Sequence, residues 1–255
     1  MTIVYEDEEI LVISKPSGIT VNRADTTRYE TTVQDWVEEY LRVSKVPQVP
    51  GVSQGEKTHD TLDTFDTRDT FYQRAGIVHR LDKETSGILL IAKTPEAFEN
   101  LQKQFKDRVV EKTYQALAHG FVAPETGEIK APIGRLPWNR KRFGILPEGR
   151  ESLTRYRTLK NYQLSVKNEE LTLLELYPQT GRTHQIRVHL KYIGHSVFAD
   201  ELYAGRKTAR DDRKLLKRLF LHAAKISFLH PKKRTLVELE SPLPEELSSV
   251  LSQLS

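Results

Sequence analysis

The feature that most constrains this chain is a run of six small or apolar residues, Gly87-Ile88-Leu89-Leu90-Ile91-Ala92, entered through a stretch dense in charge, His79-Arg80-Leu81-Asp82-Lys83-Glu84. An uninterrupted apolar run of this length suits a strand buried on both faces. Polar chemistry placed immediately before such a strand is carried to one end of a sheet. Thr94-Pro95 follows, with proline at the first turn of a helix and Phe98, Leu101 and Phe105 on one side. Strand and helix in quick succession call for a layered fold rather than a helix bundle.

The remaining segments extend that layer in both directions. Ile3 to Ile13 holds two short apolar runs around Glu6-Asp7-Glu8-Glu9 and reads as a strand pair closed by the turn Lys15-Pro16-Ser17-Gly18. Val33, Trp36, Val37, Tyr40 and Leu41 recur at helical spacing. Lys112 to His119 alternates, with Tyr114, Ala116 and Ala118 on one side. Further strands are expected at Thr154 to Leu159, Leu171 to Leu176, Lys225 to Leu229 and Thr235 to Leu239, and a helix over Arg182 to Ile193 ending at Gly194. Residues 43–74, polar, aperiodic and rich in Thr and Asp, read as a long loop insertion, mobile or in contact with substrate. The expectation is a single α+β domain over residues 1–255.

The chain of 255 residues carries 39 Lys and Arg against 35 Asp and Glu, a net charge of +4, so where the cations cluster matters more than their total. They concentrate in Lys130 to Arg157 and in Arg206 to Arg218. Phosphate binding or a solvated surface face accounts for either cluster. Cysteine is absent, which removes disulfides and thiolate metal sites and fits a reducing compartment. With an acidic N-terminus and no apolar run long enough to span a bilayer, the expected location is the cytoplasm. Glycine-spaced phosphate loops are missing, so no nucleotide cofactor is indicated. His184 and His189 stand roughly 140° apart on a helical wheel and cannot clamp one ion, so no metal is expected.

Four motifs decide the function class. Lys15-Pro16-Ser17-Gly18, His79-Arg80-Leu81-Asp82-Lys83-Glu84-Thr85-Ser86-Gly87, Lys112-Thr113-Tyr114-Gln115-Ala116-Leu117 and Thr180-Gly181-Arg182-Thr183-His184-Gln185-Ile186-Arg187-Val188-His189-Leu190 occur in the order and approximate spacing of the RluA-type pseudouridine synthase family, which the chain closely resembles. Arg218-Leu219-Phe220-Leu221-His222-Ala223 with His230-Pro231 is similar to that family's closing segment. The resemblance implies the pseudouridine synthase fold, a mixed and largely antiparallel central sheet flanked by helices and loops around a central cleft, without the N-terminal S4 domain that some relatives carry. It also implies an RNA isomerase that needs neither metal nor cofactor.

What the resemblance implies about residues follows the same motifs. Asp82 matches the catalytic carboxylate, which must be ionised to act on the sugar as nucleophile or base. Arg182 matches the arginine expected to hold it ionised, and Tyr114 the tyrosine that packs against uracil. Arg80 sits where family members fill the gap left by an everted base, and His79 is expected to support the loop. The run with Arg135, Arg140, Lys141 and Arg142 is similar to the RNA-gripping loop. The partner expected is a stem-loop of ribosomal or transfer RNA, bound by a monomer. Two departures stand out: Asn22 replaces a common histidine, and Ser196-Val197-Phe198-Ala199-Asp200 replaces a proline followed by a Gly-Asp pair. Two alternatives remain, an RNA binder that has lost catalysis, and a nucleoside or glycoside hydrolase pairing Asp82 with Glu84.

Overall fold

The computed structural model describes residues 1–23, 30–41, 67–164 and 169–254. Two adjacent strands explain the apolar run. β2 (Ile10–Lys15) pairs antiparallel with β3 (Ser86–Ala92), Leu11 opposite Ile91 and Ile13 opposite Leu89. Each face of this ribbon is covered. Ile10, Val12, Ile88 and Leu90 pack on Phe98 and Leu101, while Leu11, Ile13, Leu89 and Ile91 pack on Val33 and Val37. With both faces covered, alternation disappears and every residue of β3 is buried. The first covering helix, α3 (Pro95–Lys106), starts where Thr94 Oγ1 accepts the Ala97 N–H, a cap worth about 1 kcal/mol. The second is α1 (Val33–Leu41).

β1 (Thr2–Glu6) adds an outer strand to β2. The other half of the sheet contains β4 (Glu111–His119), β9 (Glu169–Pro178), β8 (Leu153–Leu164) and β5 (Thr126–Lys130), all antiparallel neighbours in that order. β10 (Leu221–Leu229) joins the halves and also pairs with β11 (Leu236–Glu240). β10 lies parallel to β3 through His222–Ser86 and Ala223–Gly87, and antiparallel to β4. The architecture is therefore α+β, with a nine-stranded mixed sheet in which the described pairings are antiparallel except at the β3–β10 seam. Gly87 makes that seam possible. Its φ is +113°, and a Cβ there would lie 2.2 Å from the Ala223 carbonyl oxygen.

On the second half, α4 (Gln185–Tyr192) sets Ile186 and Leu190 against Ala116, Ala118, Leu174 and Leu176. α6 (Glu245–Ser252) covers the other face with Leu247 and Val250. A short hairpin, β6 (Ile133–Arg135) with β7 (Phe143–Ile145), carries the first basic stretch, and α5 (Arg206–Asp212) the second.

Several boundaries differ from the sequence reading. Residues 43–66 of the polar segment lie outside the described residues, but its end is not loop: α2 (Thr67–Gln73) is a helix whose Phe71 is buried edge-on to Phe98. One aromatic in a polar stretch sufficed to seat that turn on the core. The helix expected from Arg182 starts at Gln185, because His184 takes a left-handed conformation with φ of 56°. Among the described residues, no helix is long and apolar enough to cross a membrane.

Candidate active site

Asp82 stands on the loop that feeds β3, and the Lys15–Gly18 turn clasps that loop. The Thr85 N–H closes a turn onto the Asp82 carbonyl at 3.1 Å. Lys15, fully buried, donates from Nζ to the carbonyls of Pro16, Ile19 and Lys83 at 2.9, 2.9 and 3.1 Å. Burial pushes its pKa down to about 7, yet three carbonyl acceptors call for three N–H donors, which only the ammonium has. The Gly18 N–H also reaches the Lys83 carbonyl, and Ser17 Oγ donates to the Glu84 carbonyl. Glu84 itself turns away from Asp82, its carboxylate held by Arg213 at 2.8 Å. No second carboxylate is thus offered by Glu84, against the hydrolase alternative.

His79 lies behind the loop. Its Nε2 accepts the Leu90 N–H at 2.9 Å and its ring stacks on Phe105, centroids 5.0 Å apart. Burial first, then the charges of Lys112 and Arg74, push its pKa down to about 3, so the ring is neutral. Its proton belongs on Nδ1, which is buried without a partner.

The guanidinium beside Asp82 is Arg187, not Arg182 as the motif had suggested. Arg187 Nε and Nη2 fork onto Asp200 at 2.7 and 2.9 Å, and Nη1 reaches Asp82 Oδ2 at 3.3 Å. Side-chain exposure falls along the chain of charges, from 19% at Asp82 to 6% at Arg187 and 0% at Asp200. Asp200 also accepts the N–H groups of Leu202 and Tyr203, and the Tyr203 ring lies 5.1 Å from the guanidinium. Burial opposes charge on Arg187, but the hydrogen bonds and charge of Asp200, then Asp82, outweigh it and hold its pKa above the ordinary arginine value. The reason lies in the turn before α4. Gln185 accepts from Thr180 Oγ1 and the Arg182 N–H and donates to the Leu153 carbonyl and Thr154 Oγ1, so the helix begins at Gln185 and turns Arg187 inward. Arg182 lines the cleft wall instead, its Nε buried without a partner. A signal for Arg187 was present: a lone cation inside Ile186-Arg187-Val188-His189-Leu190 requires a carboxylate if that helix face is buried. His189 satisfies its own two nitrogens on Thr154 and the Ala131 carbonyl.

Asp82, Tyr114 and both arginines open onto one cleft of about 540 Å³ at the seam between the halves of the sheet. Tyr114 sits on β4 opposite Ala223 and Leu176. Burial, then the negative charge of Asp82, push its phenol pKa up, so it stays protonated. Lys112, two residues earlier, lies over Phe105, and burial brings its pKa down to about 8. Arg74, Arg80, Lys106 and Arg108 complete a basic wall in which Asp82 is the sole acidic lining residue among the described residues. Arg80 is exposed there.

Arg135, Arg140, Lys141 and Arg142 lie outside this lining, on the β6–β7 hairpin. The hairpin is fastened to the site by aromatic contacts. Tyr203 Oη accepts the Phe143 N–H at 3.0 Å and bonds His184 Nδ1 at 2.9 Å, while the Arg142 guanidinium lies over the Tyr203 ring and Arg135 over Phe143. Arg135 Nη1 donates to the Arg140 carbonyl, and the Lys141 N–H to Asn139 Oδ1. At the hairpin tip Trp138 is 76% exposed.

A carboxylate, a buried guanidinium and a tyrosine face one cleft whose other described charged lining is cationic, the arrangement of a protein that receives a polyanion. The sequence model of the family described as RNA pseudouridylate synthase matches residues 9–192, and the chain belongs to that family. It is 38% identical, over its whole length and 73% of the relative's, to an RNA pseudouridine synthase of Aquifex aeolicus whose description calls it uncharacterized. It is 34% identical, again over its whole length and 65% of the relative's, to ribosomal large subunit pseudouridine synthase D of Nitrosomonas europaea. Among solved structures, human RNA pseudouridylate synthase domain containing 1 superposes with a TM-score of 0.69 at 27% identity, covering 100% of this chain and 87% of that one. The chain is an RNA pseudouridine synthase of the RluA type, isomerising uridine to pseudouridine.

Proposed function

We propose that Asp82 is the reacting carboxylate, that Arg187 orients it and supplies its counter-charge, and that the substrate is a uridine everted from a stem-loop of structured RNA in the cytoplasm. The reaction breaks the N1–C1′ bond, turns the uracil within the cleft, and joins C5 to C1′; the C5 proton is lost and N1 gains one. The single observation behind the assignment is that one carboxylate faces a cleft whose other charged lining residues, among those described, are cations, and is paired to a guanidinium that Asp200 anchors. The cavity, about 540 Å³, falls within the range of sites that enclose a small ligand and suits one nucleotide.

Tyr114 supplies a flat protonated phenol to stack on the base, and Arg80, exposed at the cleft mouth, fills the vacated position in the RNA stack. Arg182, whose Nε lacks a partner, and Lys112 face the incoming nucleotide with free donors, suited to a uracil carbonyl or a phosphate. Arg135, Arg140, Lys141 and Arg142 supply backbone contacts beyond the cleft, and Trp138 a stacking face. Ribosomal RNA is favoured over transfer RNA because the relative from Nitrosomonas europaea, matched along the whole chain, is named for the large ribosomal subunit.

The test is tritium release from cellular RNA labelled at uridine C5, comparing wild type with Asp82→Asn. Release by the wild type without free uracil, and none by the variant, is the expected outcome. Comparable release by Asp82→Asn, or liberation of uracil, overturns the assignment. Pseudouridine mapping with and without the gene identifies the RNA.

A further inference from the structure

Away from the cleft, positive charge is densest on α5 and the turn that continues it. Arg206, Arg210, Arg213, Lys214 and Lys217 recur at intervals of three and four, which puts them on one helical face. Ala209, Asp212 and Leu216, on the other side, are buried, and the Leu216 N–H still bonds the Asp212 carbonyl, so the helical path runs on past α5. The opposing charges on this face are few: Glu201 pairs with Arg213 at 3.1 Å and Asp211 with Lys214 at 2.7 Å. Arg206, Arg210 and Lys217 are exposed and make no ion pair among the described residues. Some other surface cations are matched, as in Lys83–Glu30, Lys93–Glu6, Lys225–Glu240 and Lys232–Glu9. A face that keeps its cations unmatched suits a polyanion.

Arg213 ties this face to the reacting centre. Its Nη2 holds the Glu84 carboxylate, two residues beyond Asp82, and its Nε donates at 3.0 Å to the carbonyl of Ala199, next to the Asp200 that anchors Arg187. The basic face therefore keeps a fixed position relative to the cleft.

We propose that this α5 face binds the phosphodiester backbone of the substrate RNA at nucleotides remote from the target uridine, as a second anchor besides the β6–β7 hairpin. The inference rests on structured RNA being the substrate. Backbone contacts of this kind release counterions, so they appear in the salt dependence of binding whatever the RNA sequence.

The experiment measures fluorescence anisotropy of a labelled RNA hairpin of about 40 nucleotides between 50 and 200 mM KCl, for wild type and the triple variant Arg206→Gln, Arg210→Gln, Lys217→Gln. With one phosphate per residue, the slope of log affinity against log salt falls by about 2 to 3, and the affinity advantage of the wild type shrinks roughly twenty- to fortyfold across that range. Arg206→Lys with Arg210→Lys keeps the wild-type slope, because charge is what is read. Should the triple variant melt early, Lys217→Gln alone must still lower the slope by about 1. Slopes that coincide with wild type, as a plain solvated face or an acidic protein partner would give, overturn the anchor. If the wild type releases tritium while the slopes coincide, only the anchor fails; if it releases none from any cellular RNA, the catalytic reading fails whatever the slopes.

Discussion

The inner end of the cleft and its rim hold similar side chains in opposite states. Inside, Arg187 spends three nitrogens on two carboxylates, and Asp200 adds two backbone N–H partners, so the geometry exists before substrate arrives. At the rim, Arg182 and Lys112 have no carboxylate partner among the described residues, and Arg182 Nε is buried without any partner. On the proposed reading, the difference separates two needs: a reacting carboxylate needs a counter-charge that does not move, whereas donors offered to RNA must remain unspent.

Removing the inner guanidinium is expected to have the largest effect. Arg187→Met leaves Asp200 buried and unpaired, which costs about 3–5 kcal/mol of stability, and deprives Asp82 of its counter-charge. Tritium release is expected to fall by about 10³-fold or more, the scale of removing a preorganised electrostatic partner. Arg187→Lys should restore little, since an ammonium cannot fork onto Asp200 and also reach Asp82. A near-normal rate in either variant removes the distinction between the two ends of the cleft.

Arg182→Met probes the rim from the other side. No ion pair among the described residues is lost, so the melting temperature should shift little, while loss of a charged hydrogen bond to RNA, worth about 1.5–3 kcal/mol, lowers kcat/KM by roughly 10- to 150-fold. Destabilisation as large as that of Arg187→Met would mean that Arg182 has a structural partner after all.

Lys112 adds a pH signature to the rim. Its folded-state pKa, about 8, lies below the ordinary lysine value of 10.5, so the folded state binds the proton less tightly than the unfolded chain. Its share of stability is therefore unfavourable below pH 8 and is relieved as pH rises from about 8 towards 10.5. RNA affinity runs the other way, because a phosphate or carbonyl needs the ammonium. Affinity should decline as pH rises through about 8 in the wild type and lose that step in Lys112→Met, measured by anisotropy at constant ionic strength.

How much of this was legible before the structure depends on how local the signal is. β2, β3, α1 and α3 each announce themselves through patterning within a dozen residues, and Asp82 and Tyr114 through their motifs. The parallel contact of β3 with β10 joins residues more than 130 positions apart, Ser86 with His222, and no local pattern encodes it. The exchange of Arg182 for Arg187 has a similar cause. A helix drawn from Arg182 puts that residue inside the element, whereas the left-handed His184 and the side chain of Gln185, bonded to Leu153 and Thr154 on an earlier strand, set where the helix starts. α6 and β5 escaped because their few buried residues, Leu247, Val250 and Ile129, are spaced too sparsely to stand out. The hairpin of β6 and β7 read as a basic loop because three-residue strands leave almost no alternation.

The smallest expected effect tests what fixes the inner end. Ala199 takes a left-handed conformation with φ of 61° directly before Asp200. Such a backbone costs an alanine about 1 kcal/mol that a glycine does not feel. The Ala199 methyl, however, is wholly buried among Phe198, Phe220 and Leu216, and removing it costs about 0.8 kcal/mol, with roughly another 0.4–1 from the freer unfolded chain. These terms oppose one another, so Ala199→Gly should change stability by no more than about 1 kcal/mol, a melting shift of roughly 2–4 °C at most. Activity should hold within about twofold, because Asp200 is positioned by the Leu202 and Tyr203 N–H groups and by the Arg187 fork, none of which involves the methyl. A tenfold loss of tritium release with stability intact would instead place the control of Asp200 in the packing of residue 199, and would make the inner end a product of side-chain fit rather than of its charge network.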